Sequence, residues 1–135
     1  MKLMKNPVLI YNPKCSKSRA ALKLISSKFE ELDAGKNYAS NKVELCEYLS
    51  EPISVDFLKY VKSMMPSTET KDLIRWNEKV DSSCFPDVDA ESDEELFEKI
   101  CKTPSILQRP IFIYPLKSRA IIARPPEKAL ELFED

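Results

Sequence analysis

"PVLIYNPKCSKSRAALKLISSKF" spans residues 7–29 and reads as a strand, a turn and a helix. The apolar run 7–11 is β-branched and aromatic, the pattern of a short buried strand, and Asn12-Pro13 closes it. Residues 16–29 then set Ala21, Leu22, Ile25 and Phe29 at helical spacing, with Ser16 and Ser18 near the start. Between turn and helix stands Cys15, flanked by Lys14, Lys17 and Arg19. Unpaired N–H groups at a helix start and neighbouring positive charge both favour a thiolate over a thiol. A free thiol has a pKa of roughly 8.5, and such surroundings lower it by one to several units. Each unit is roughly 1.4 kcal/mol in favour of the anion. Cys15 is therefore the candidate nucleophile.

Outward from this stretch, "VELCEYL" (43–49) follows a polar connection and reads as a second strand, parallel to the first, with Val43, Leu45 and Glu47 on one face. Strand, helix and strand at this spacing make a right-handed crossover unit. Residues 55–65 carry a helical stripe of Phe57, Leu58, Val61 and Met64/Met65, and "TETKDLIRWNEK" (68–79) reads as a further helix. Ser92 with Glu95 three residues on is a capping box for the helix "DEELFEKICK" (93–102). The character then changes. "IFIY" (111–114) and "AII" (120–122) bracket a Pro-Leu-Lys-Ser turn as a hairpin, and Pro125-Pro126 launch a last helix, "EKALELF". The expected fold class is α/β, a thioredoxin-like mixed sheet with a helical insertion between an N-terminal βαβ half and a C-terminal ββα half. The whole chain 1–135 would be one domain, with core segments 7–50 and 104–135 and the insertion at about 54–103. A doubly wound α/β domain of another topology is the alternative.

The composition narrows the function. With 43% hydrophobic and 32% charged residues the chain can build a core. Its 21 basic and 22 acidic residues give no net surface for a polyanion, so a nucleic-acid partner is not expected. The N-terminal residues lack a signal-length apolar run and no stretch approaches a membrane span, which makes a cytoplasmic location the expectation. Four isolated cysteines, no CxxC pair and no histidine leave neither a metal site nor a disulfide framework. Cys46, Cys84 and Cys101 read as packing residues, with Cys84 in "DSSCFPDV" the most exposed and a candidate resolving thiol.

Five pieces, in order, carry a resemblance: "YNPKCSKSR", "VELCEYL" leading to "PISVDFL", "LIRWNE", "ILQRPI" and "ARPPEKALEL". The chain resembles the glutaredoxin-coupled arsenate reductases, a family that also holds the transcription regulator Spx. The resemblance implies that Cys15 attacks an oxyanion such as arsenate and that Arg75, Arg109 and Arg124 bind it. It also implies that Ser18 and Arg19 belong to an anion loop after the cysteine, and that Asn12 and a cis Pro110 are structural residues beside the site. No bound cofactor is implied; glutathione enters as co-substrate and glutaredoxin as partner. Guanidinium suits such a role, since it stays charged and forks onto tetrahedral oxyanions. One departure stands out: Tyr11 occupies the place where many members carry histidine, which leaves Lys14, Arg19 and the arginine trio to stabilise the thiolate. Serine at position 18 rules out a Cys15 C-x-x-C disulfide, so an external thiol must resolve the adduct. The alternatives are a glutathione-linked thiol reductase with another substrate and an Spx-like, non-enzymatic protein that binds RNA polymerase. Arg119 competes with Arg124 for a place at the site.

Overall fold

The computed structural model describes residues 6–33, 43–51, 53–75 and 92–134. Trp76, Cys84 and most of the acidic run 87–95 lie outside these residues. The chain divides into two compact units, one from residues 1–48 and 109–135, the other from residues 49–108.

The first unit is a four-stranded sheet with helical segments. Strand β1 (Val8–Ile10) leads into helix α1 (Ser16–Asp33) and then β2 (Glu44–Cys46); β3 (Ile111–Tyr114) and β4 (Arg119–Ile122) form the hairpin. The order across the sheet is β2-β1-β3-β4. β1 runs parallel to β2 and antiparallel to β3, and β3 is antiparallel to β4. This is the expected thioredoxin-like arrangement. The parallel pairing follows from the crossover through α1, and the antiparallel pairing from the short 115–118 turn.

Period-two alternation sends Leu9 and Phe112, partners in register, to one face of the sheet. There they join Tyr11, Ala21, Ile25, Phe29, Tyr114, Ala123, Ala129 and Leu132 in one core cluster. Val8, Ile10, Ile111 and Ile113 alternate with them and are also buried, so these strands read as continuous apolar runs. Phe29 meets Phe112, Tyr114 and Phe133 edge-on, at centroid distances of 6.4, 5.5 and 4.9 Å. Each such pair adds about 0.5–1.5 kcal/mol beyond its area burial. On α1 the buried stripe is Ser18, Ala21, Ile25 and Phe29, spaced three, four and four residues apart. Three of the four are apolar; the fourth is at the site.

Two elements of this unit differ from expectation. β2 is shorter than the predicted strand, and Leu45 is 40% exposed because β2 is an edge with a neighbour on one side only. Burial in this segment falls instead on Tyr48, beyond the strand's end. The last helical segment, Pro126–Phe133, is a 3₁₀ helix rather than an α-helix. At three residues per turn Ala129 and Leu132 eclipse each other, so one narrow stripe supplies its buried side chains.

The second unit holds α2 (Val55–Ser63) and α3 (Asp93–Lys102). Each starts at a serine whose hydroxyl accepts from the third residue on: Ser54 from Phe57 N–H at 3.0 Å, Ser92 from Glu95 N–H at 3.2 Å. Lys59 of α2 pairs with Glu94 of α3. The helix expected over 68–79 is replaced, among the described residues, by one 3₁₀ turn, Thr70–Leu73, followed by extended backbone. Ile74 there forms an antiparallel bridge with Leu107. Arg75 N–H donates to Ile106 O and Gln108 N–H to Leu73 O, both at 2.7 Å. Burial of Ile74 and Leu107 together overrides the helical propensity of the local residues.

Candidate active site

Asn12 builds the turn that delivers Cys15. Its carbonyl accepts Cys15 N–H at 2.9 Å, and its side-chain Oδ1 accepts Lys14 N–H at 3.0 Å. The second bond is what a short polar side chain before proline supplies to a tight turn. The Cys15 carbonyl accepts Arg19 N–H at 3.1 Å, the first bond of α1, which makes Cys15 the N-cap residue. Its sulfur therefore occupies the position from which an N-cap serine or aspartate accepts the helix's unpaired N–H groups.

Partial burial pushes the Cys15 thiol up, the largest single influence. The N–H groups of Ser18 and Lys17, the Ser18 hydroxyl and the Arg109 charge together outweigh it, bringing the thiol from 9.0 down to about 7. Lys17, expected to act through its charge, acts through its main chain. Arg19 is exposed and donates Nη1 to the Pro13 carbonyl at 2.9 Å, clamping the turn that carries Cys15. Tyr11, in the histidine position, is buried in the core cluster.

Sheet register explains the remaining convergence. Ile10 pairs with Ile111 and Ile111 with Ile122, so the end of β1, the start of β3 and the end of β4 coincide. Pro110 O accepts Ala123 N–H at 2.8 Å and continues that ladder by one step. The Arg109–Pro110 and Arg124–Pro125 peptides are cis. Arg124 donates Nη1 to the Arg109 carbonyl at 3.0 Å, which brings the two arginines together at the Cys15 end of the sheet. A guanidinium has five N–H donors, so this bond leaves most of Arg124's capacity for a ligand. Arg119 pairs with Tyr114 at the opposite end of β4, about 10 Å of strand from Ile122, and is exposed. Between the two, Arg124 is the one at the Cys15 end.

Arg75 belongs to the second unit and is half-buried. Cys46 and Cys101 are half-buried and outside any disulfide, and burial with Glu98 nearby raises Cys101. No group of three or more metal-donor side chains occurs among the described residues, and no described helix is long and apolar enough to cross a membrane. The helix-start N–H groups acting on the sulfur match the expectation, whereas the Ser18 hydroxyl was read as part of an anion loop and not as a donor to the sulfur. The available signal was the N-cap placement of Cys15, which aims the third residue's donors back at it.

An arsenate reductase of Haemophilus influenzae is 30% identical over 125 residues, which are 93% of this chain and 97% of that protein. The uncharacterized protein YfgD of Escherichia coli is 27% identical over 130 residues, 96% and 98% of the two chains. The solved arsenate reductase from Vibrio cholerae matches with a TM-score of 0.78 at 27% identity, covering 97% of this chain and 99% of its own. Residues 10–132 match the profile of the ArsC family. Because that match runs from the last residue of β1 through both cis-proline segments and into the final helical turns, the chain belongs to the ArsC family.

Proposed function

We propose that this protein is a glutathione- and glutaredoxin-linked oxidoreductase that reduces arsenate, with Cys15 as nucleophile. The observation that carries the reading is a thiol held at about 7 beside Arg109 without any histidine. At neutral pH about half of such a group is thiolate. Among the relatives, proteins of H. influenzae and V. cholerae bear the name arsenate reductase.

In the proposed reaction the Cys15 thiolate attacks arsenic, forming an S–As bond as one arsenate oxygen leaves as water. Arg109 and Arg124 offset the anion's charge, each through paired N–H donors that lysine does not have. The resemblance assigns Arg75 to the same anion. The glutathione thiolate then attacks the Cys15 sulfur. The S–As electron pair passes to arsenic, As(V) leaves as arsenite, and Cys15 is held as a mixed disulfide with glutathione. A glutaredoxin thiol takes over the glutathionyl group and frees Cys15. Two thiols are oxidised to one disulfide for each arsenic reduced, so the electrons balance. Reduced glutathione places this work in the cytoplasm.

The test is arsenate-dependent consumption of NADPH with glutathione, glutathione reductase and glutaredoxin, for wild type and Cys15→Ser. Turnover lost in the variant supports the proposal. A wild type that does not turn over arsenate, while Cys15 stays reactive to alkylation, reassigns the protein to a glutathione-linked thiol reductase with another substrate.

A further inference from the structure

We infer that Ser18 is a positioning residue for the nucleophile: its buried hydroxyl, held from behind by the Asn12 main-chain N–H, directs its proton at the Cys15 sulfur and does not grip the oxyanion. The inference deepens the reading of Cys15 as nucleophile, yet its test reads the sulfur directly and does not depend on arsenate turnover.

Ser18 is 0% exposed, the first member of the inward stripe that continues as Ala21, Ile25 and Phe29. A hydroxyl carries one donor and two acceptor sites. Asn12 N–H donates to Ser18 Oγ at 3.3 Å, which occupies the acceptor side. The O–H bond then faces the N-cap three residues back, where the Cys15 sulfur stands, and the Ser18 side chain is among the groups that lower the Cys15 thiol. The ring is closed by Asn12 itself, whose carbonyl accepts Cys15 N–H at 2.9 Å. Asn12 thus holds both partners of the O–H···S⁻ bond, one through each of its main-chain polar groups. Such charge-assisted bonds are about twice as strong as neutral ones. A small anion approaching the half-buried Cys15 meets the sulfur and the arginines, whereas Ser18 Oγ is out of solvent's reach. The chain has no histidine, and this buried neutral donor takes on part of the thiolate stabilisation that an imidazolium would supply.

The experiment is the pH dependence of Cys15 alkylation by iodoacetamide, followed by peptide mass spectrometry, in wild type, Ser18→Ala and Ser18→Thr. Wild type should show a midpoint at about 7. Ser18→Ala should move it up by about one pH unit, the size of one hydrogen bond to a charged group. Ser18→Thr keeps the hydroxyl and should restore the wild-type midpoint. At a pH above both midpoints, arsenate or sulfate should protect Cys15 equally in wild type and Ser18→Ala. A midpoint left in place by Ser18→Ala, with oxyanion protection weakened, overturns the inference and makes the hydroxyl an anion ligand. Wild type supplies an independent check that needs no variant: the Asn12 amide should exchange its hydrogen slowly, and exchange at the rate of an open chain overturns the inference equally.

Discussion

At one end of the sheet β1 stops, β3 begins and β4 stops; there Cys15, Arg109 and Arg124 are half-buried, Ser18 is fully buried, and Arg124 is tied to a main-chain carbonyl. At the other end the 115–118 turn carries Leu116, 80% exposed, with Ser118 in the left-handed region at φ 53° and Arg119 in solvent. Lys117 spends its charge on the face of the Tyr114 ring, 5.7 Å away. Both ends are basic and both belong to one hairpin. The difference lies in what the charges face. Exposed cations are hydrated and screened beyond about 8–10 Å at ordinary ionic strength, while partly buried ones held by the backbone act on a chosen atom. Arg119 and Arg124, five residues apart, make the contrast within a single strand and its extension.

The largest expected effect is on the thiol. Cys15→Ser should reduce arsenate-dependent thiol oxidation to background in the coupled assay, since Cys15 is lowered toward neutrality whereas Cys101 is raised. Residual turnover near wild type would move the nucleophile elsewhere and break the contrast between the two ends.

Next come the arginines. Arg109→Lys or Arg124→Lys should lower kcat/KM by roughly tenfold to a thousandfold, the range for losing one preorganised donor. Circular dichroism should show both variants folded. Arg124→Lys is the sharper case, because one ammonium must replace a guanidinium that already holds the Arg109 carbonyl. If both variants keep full activity, the two ends of the sheet are functionally alike.

A third measurement uses pH. Cys15 is an acid lowered from 9.0 to about 7, so it is mostly anion above that value and mostly neutral below it. Its alkylation rate should be flat above about pH 8 and fall roughly tenfold per unit below about pH 6. Cys101, raised by burial with Glu98 adding to the effect, should remain a thiol at pH 8 and label more slowly. Faster labelling of Cys101 than Cys15 at pH 8 would contradict the role given to the helix start.

The smallest effects belong to the far end. Arg119→Lys and Leu116→Ser should each leave arsenate turnover unchanged and shift stability by no more than about 0.5 kcal/mol, as exposed positions do. Denaturant unfolding and the coupled assay measure both. A loss on Arg119→Lys comparable to that on Arg124→Lys would erase the distinction.

Local patterns were legible where one periodicity was strong and a cap was present. The 7–29 strand, turn and helix, the Ser92 cap and the 111–122 hairpin all depend on neighbours within a few residues. The helix expected over 68–79 was not legible in this way over its described residues, 68–75. "TETKDLI" has helical composition, yet Ile74 is drawn into an extended bridge by Leu107, a partner far along the chain. The same limit applied at the site. Cys15 and the N–H groups of the helix start were evident, but flanking lysines look like its stabilisers in one dimension, and the burial that turns the Ser18 side chain inward has no letter in a sequence.

By itself, then, the sequence determined the strand–turn–helix that presents Cys15, the absence of a histidine or second thiol at position 18, and the order of segments that yields a thioredoxin-like sheet. These depend on side-chain type and short-range geometry, which are written locally. Only the tertiary structure decided that Arg124 rather than Arg119 stands with Arg109 at the Cys15 end, and that Ser18 is turned inward toward Asn12. Those outcomes follow from the register that aligns Ile10, Ile111 and Ile122 and from which stripe of α1 the core buries. A one-residue slip in strand register would turn the same side chains to the opposite face, and a one-residue shift along α1 would rotate its buried stripe by about 100°.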